Sequence, residues 1–268
     1  MKRLPWGAFL SELVGTGVLI LVGLSFVILD FGNGSPVVRL LPDPGVRRLI
    51  TGFLFGSTGA LIAFSWVGKV SGAHINPVVT LAFWLRGKFD GKIALGYMLA
   101  QLIGAILGTF PLIAWRQIGK SVNYGATLPG QAYGPGWAVA GELVTTFCLI
   151  VGLFLFLGHK TLRNFTPLLF PFLYALMVFL EAPVSGTSTN PARSLGPALV
   201  SGEWQYWWVY WLGPILGTLL ALSLQRVPWF RRFEIEVAKI YHFGHDPLGI
   251  FGIEEELKED IEEIEESF

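Results

Sequence analysis

The chain has 268 residues, 53% hydrophobic and 14% charged, with a formal net charge of zero. Mean hydropathy is +0.58, and a soluble domain carries about 25% charged residues, so the composition implies a membrane protein and excludes an ordinary soluble enzyme or nucleic-acid-binding module. A single cysteine, Cys148, excludes an intramolecular disulfide and a cysteine-based metal cluster, and reads as a small apolar packing residue.

Six apolar segments are predicted to span a bilayer, at about 6–29, 49–67, 93–115, 137–157, 167–183 and 207–224. Lys2 and Arg3 lead into an apolar run too long for a leader, with Glu12 inside it and no clear cleavage site. Gly15, Gly23 and the pair Gly104 and Gly108 are small residues that let helices approach closely in lipid. The fifth segment is short and carries Pro167 and Pro171, so a kink is expected. Trp204, Trp207, Trp208 and Trp211 at the start of the sixth read as an interfacial belt.

The segments repeat. Segment one contains Ser-Glu-Leu-Val-Gly-Thr at 11–16 and segment four Gly-Glu-Leu-Val-Thr-Thr at 141–146. After segment two comes Ser-Gly-Ala-His-Ile-Asn-Pro-Val, and after segment five Ser-Gly-Thr-Ser-Thr-Asn-Pro-Ala-Arg, with Asn76 and Asn190 at equivalent places. Asn is a preferred helix N-cap and Pro suits the first helical position, so Asn76-Pro77-Val78 and Asn190-Pro191-Ala192 each start a helix. The runs that follow, 76–86 and 190–200, are eleven residues each, or about 16 Å, half a bilayer core. Two such half-helices entering from opposite sides make one span between them, with both positive dipole ends at the centre. Each Asn accepts a backbone N–H and offers NH₂ donors to whatever passes. Three spans per half is an odd number, so the second half is inverted, as in channels and transporters built from inverted repeats.

The duplicated motif, with Arg193 after the second copy, resembles the major intrinsic protein family, the aquaporins and their glycerol-conducting relatives, over about residues 6–226. The resemblance implies an all-α membrane fold of six transmembrane helices plus two half-helices, and a homotetramer. A channel domain then covers 1–228, with inverted repeats at about 6–116 and 137–226, and a cytoplasmic tail covers 229–268. The resemblance makes Glu12 and Glu142 braces for the loops before the half-helices, and places His74 in packing beside the first motif. Without it, ionisable groups inside spans also suit a proton relay in a coupled transporter. Carried over residue by residue, the family's narrow filter falls on Gly56, Val178, Thr187 and Arg193. Water-selective members have a large aromatic and a His at the first two, so Gly56 and Val178 imply a wider, less polar neck. A one-residue slip would put Phe55 there and narrow it. Ser194, Ala198, Tyr210 and Trp211 match the water-channel pattern instead. Val78 stands where the family has Ala and is expected to alter packing of the two helix starts.

Glu181, three residues after Val178, reads as a solvated rim carboxylate or as a partial offset to Arg193. His159, His242 and His245 read as loop and tail residues, and no metal or cofactor site is expected. Short-loop Lys and Arg favour both termini in the cytoplasm, with Arg47 and Arg48 opposing the trend. The tail holds nine acidic residues and one lysine between Glu254 and Glu266, and Ile253, Leu257, Ile261, Ile264 and Phe268 recur at helical spacing. It reads as a solvated tail or as a helical bundle under an oligomer. The expected function is a passive channel for water and small neutral solutes in a lipid bilayer, in the plasma or inner membrane. The competing readings are a glycerol facilitator, a proton-coupled transporter and a non-conducting structural protein.

Overall fold

The computed structural model describes residues 4–224, 227–231 and 233–253. Among these there are helices and no strand. The six expected spans are α1 (Trp6–Phe31), α2 (Pro44–Phe64), α4 (Gly91–Thr109), α5 (Pro135–Leu157), α6 (Thr166–Ser185) and α8 (Val209–Leu224). Between them lie the half-helices α3 (Pro77–Leu85) and α7 (Pro191–Ser201). Trp6–Phe31, Gly91–Lys120, Pro135–Leu157 and Leu162–Ser185 are long and apolar enough to cross a bilayer. α8 has only 16 residues, and α2 starts five residues before the apolar segment 49–67 and carries Arg47 and Arg48 in its first turns. Its start is set by Asp43, whose carboxylate accepts the Val46 N–H at 2.9 Å ahead of Pro44. The acceptors on Arg47 explain a cation on the unfavoured side: its guanidinium donates to the carbonyls of Val38 and Leu41 at 3.3 and 3.0 Å, and it is buried.

Glycines decide how the spans cross. α2 packs most extensively on α6, α1 on α4 and α5 on α8. A Cβ at Gly52 or Gly56 would lie 2.3 Å from the carbonyl oxygens of Tyr174 and Phe170 respectively, on α6. One at Gly104 or Gly108 would lie 2.2 Å from the carbonyls of Leu13 and Gly17 on α1. Gly213 and Gly217 do the same for α8 against α5. In lipid there is little hydrophobic drive between helices, so such backbone contact supplies the packing. The fifth span runs as one helix through Pro171. Cys148, expected in packing, is exposed on the outer face of α5.

Residues 233–253 fold back under the bundle at the end that holds 64–72 and 158–165. Lys239 Nζ donates to the Lys69 carbonyl at 2.9 Å, and Arg163 pairs with Glu236 at 2.5 Å. A Cβ at Gly7, in the first turn of α1, would touch Leu248 at 3.4 Å, so the start of the first span is at the same end. The acidic stripe expected beyond Ile253 lies outside the described residues.

Candidate functional site: two half-helix starts facing across a cavity

The chain before each half-helix follows one conformational plan. Gly72 and Gly186 take left-handed φ of +82° and +88°, ending the preceding helices. Then Ala73 and Ile75, and in the second half Thr187 and Thr189, also take positive φ. Three of these four are β-branched, for which that region is a genuine outlier, so something must hold them. The buried carboxylates do so. Glu12 accepts the His74 and Ile75 N–H groups at 3.0 and 2.7 Å, the Ser71 hydroxyl at 2.6 Å and the Gln101 amide at 2.7 Å. Glu142 accepts the Ser188 and Thr189 N–H groups, both at 2.7 Å, and the Ser185 hydroxyl at 2.6 Å. Both glutamates are wholly buried.

The half-helices start where the Asn-Pro pairs require. Asn76 Oδ1 accepts the Val78 N–H at 3.0 Å, and Asn190 Oδ1 accepts those of Ala192 and Arg193 at 3.0 and 3.3 Å. The amides then reach across to the opposite loop. Asn76 Nδ2 donates to the Thr189 carbonyl at 2.9 Å, and Asn190 Nδ2 to the Ile75 carbonyl at 3.0 Å. Sequence reasoning offered both N–H bonds of each amide to a passing molecule. One of the two is instead spent on the partner loop, which locks the helix starts together and leaves one per amide. Pro77, Pro191 and Ala192 follow in the first turns, all buried. Val78 is buried too and is not among the cavity's lining residues, so it packs the helix start.

Beside the two amides lies a cavity of about 40 Å³ lined by Asn76, Asn190, Ile75, His74, Phe55 and Tyr174 among others, space for about three water molecules. His74 sits over Phe83 with ring centroids 4.7 Å apart. Its Nδ1 meets Thr80 Oγ1 at 3.1 Å and its Nε2 the Ala238 carbonyl at 2.8 Å. Among the described residues no group of His, Cys, Asp and Glu could hold a metal.

Of the four filter positions, Gly56 is the one the geometry moves. It borders the cavity, but its Cβ direction points into the α6 backbone, so the missing side chain makes a helix crossing and opens no wall. The ring that reaches Arg193 is that of Phe55, 6.0 Å from the guanidinium carbon. Phe55 lies in the space left by Gly23, where a Cβ would come 2.4 Å from the ring. Arg193 is buried and donates to the Gly125 carbonyl at 2.6 Å. Val178 shares the α6 face of Tyr174 and Glu181 by helical spacing. Glu181 is not a solvated rim group: it is buried, and accepts the Thr187 hydroxyl at 2.5 Å. Sequence reasoning missed Tyr174, whose hydroxyl meets Thr189 Oγ1 at 2.8 Å and whose ring packs 6.0 Å from Phe55. Its place one turn before Val178 was the available signal.

The major intrinsic protein family model matches residues 2–224. The chain belongs to the major intrinsic protein family. Within that family it is 30% identical over 238 residues to aquaporin AqpM of Methanothermobacter marburgensis, covering 79% of this chain and 93% of that one. It is 32% identical to aquaporin Z of Rhodopseudomonas palustris, covering 82% and 92%. The aquaglyceroporin of Plasmodium falciparum, a member of known structure, superimposes with a TM-score of 0.69 at 22% identity, covering 85% of this chain and 98% of that one. That likeness concerns the fold. Membership and the apolar helices make this protein an integral, multi-pass membrane protein.

Proposed function

We propose that the protein is a passive channel for water that also admits small neutral solutes, and not an enzyme. The observation that carries this reading is the reciprocal pair of Asn amides beside a small cavity. The remaining amide N–H groups replace part of a molecule's hydration shell while the half-helix dipoles disfavour a cation. The relatives named aquaporin support the same reading. Glu12 and Glu142 serve as braces, because their oxygens are occupied by loop N–H groups, hydroxyls and the Gln101 amide.

We place the outer constriction at Phe55, Val178, Thr187 and Arg193, with Tyr174 below. An aromatic wall without an imidazole opposite it is narrower than a Gly56 wall and less polar than a water-only neck. Both termini lie on the cytoplasmic side, and the protein assembles as a homotetramer in the plasma or inner membrane. Osmotic shrinkage of proteoliposomes tests the function: a sucrose gradient should shrink them faster than empty vesicles, and a glycerol gradient should be followed by slower reswelling. Shrinkage no faster than that of empty vesicles, both for the parent and for a variant whose residues 233–253 are released from the bundle, refutes the channel reading, and reswelling as fast as shrinkage favours a glycerol facilitator.

A further inference from the structure

We propose that residues 233–253 are a plug across the inner mouth of the pore, with Ile240 as the stopper. The inference rests on the channel reading above. Ile240 lies beyond the last span, where a side chain would ordinarily meet solvent, yet it is 3% exposed and lines the cavity that also touches Asn76 and Asn190. An isoleucine in a file of water offers no donor or acceptor to replace the hydrogen bonds of the water it displaces. It therefore closes the path both by volume and by leaving the next water unpartnered.

The flanking residues fix it there. The Ile240 N–H donates to the Gly72 carbonyl at 3.1 Å, at the turn into the first half-helix. Ala238, wholly buried, offers its carbonyl to His74 at 2.8 Å. Lys239 donates to the Lys69 and His245 carbonyls, and its ammonium lies 4.8 Å from the Phe251 ring centroid. Tyr241 packs on Phe64 with ring centroids 4.9 Å apart. On the other side of the mouth, Arg163 of the loop before α6 holds Glu236. The segment thus runs from the second repeat to the first, directly over the cavity. Its anchors are main-chain carbonyls, one exposed ion pair, ring contacts and the buried aliphatic side chains of Ile235 and Ile240, all outside the spans' own hydrogen bonding, so it can leave without unfolding a span, and the pore opens when it does.

The test is osmotic shrinkage of proteoliposomes holding the full chain, Ile240→Gly or Lys239→Glu. The glycine removes the stopper; the glutamate faces the Lys69 and His245 carbonyls with like charge and releases the segment without altering the pore wall. Ile240→Gly is expected to raise the shrinkage rate about tenfold, the change in open fraction that losing one buried aliphatic anchor produces, and Lys239→Glu is expected to raise it as well. If the parent already shrinks as fast as both variants and faster than empty vesicles, the plug is overturned and the channel stands. If all three match empty vesicles while remaining monodisperse with the parent's melting temperature, the channel reading itself fails, and the plug with it. Should Ile240→Gly not be monodisperse, Lys239→Glu decides alone.

Discussion

Replacing Glu142 by Gln keeps the shape of the side chain and removes one acceptor. Oε1 takes the Ser185 hydroxyl and the Ser188 N–H, and Oε2 takes the Thr189 N–H. The Ser185 hydroxyl can turn and accept from the new NH₂ group, but a backbone N–H cannot. In either amide orientation one buried N–H is therefore stranded, at about 1–3 kcal/mol. The remaining bonds change from charge-assisted to neutral, at about 1 kcal/mol more. Glu12→Gln has the same outcome, since either orientation strands the N–H of His74 or of Ile75. At about 2–4 °C per kcal/mol for a chain of this size, each variant should melt about 5–15 °C lower. Thermal unfolding in detergent, followed by tryptophan fluorescence, measures it. A proton relay would behave differently, keeping the melting temperature and losing a pH-driven flux. Melting temperatures within about 2 °C of the parent for both variants would refute the bracing argument.

The neighbours Phe55 and Gly56 should part company. Phe55→Ala widens the neck and is expected to raise glycerol flux while costing about 3 kcal/mol of packing for the lost buried ring, whereas Gly56→Ala drives a Cβ into the Phe170 carbonyl and should destabilise by about 1–3 kcal/mol without widening the filter. Glycerol reswelling and thermal unfolding of both variants check this, and a Gly56→Ala protein of parental stability with altered flux would return Gly56 to the filter. Asn76→Ala loses an N-cap and the bond to the Thr189 carbonyl together, so a drop of about 2 kcal/mol in unfolding stability and a loss of water flux are expected in the same two assays. Burial holds the Lys239 ammonium down to about 8, against about 10.4 for a free lysine. Docking therefore favours its neutral form, and the plug should seat more firmly as pH rises from about 8 to 10. Lys69, His245 and Asp246 surround it, with the imidazole of His245 kept below its usual value and so neutral in that window. Shrinkage rate should fall over this range in the parent and stay flat in Lys239→Met.

Much of the architecture was already legible in the chain. Segment length and apolarity decide what crosses lipid, and Asn-Pro starts a helix through its own cap and fixed φ, so the six spans, both half-helices and their inversion needed no long-range information. The deep placement of Glu12 and Glu142 was likewise readable from their repeated setting. Other features depended on which helix face met which neighbour. One residue turns about 100° around a helix, so counting back from Asn76 could not separate Phe55 from Gly56; the crossing of α2 on α6 did that by needing a residue with no side chain. The sharing of the Asn amides with the opposite loop joins positions 113 and 115 residues apart, and Ile240 is seated under a cavity lined from both repeats. Those contacts exist only after the two repeats have packed face to face, because local backbone preference sets the conformation of a segment and not what lies across from it.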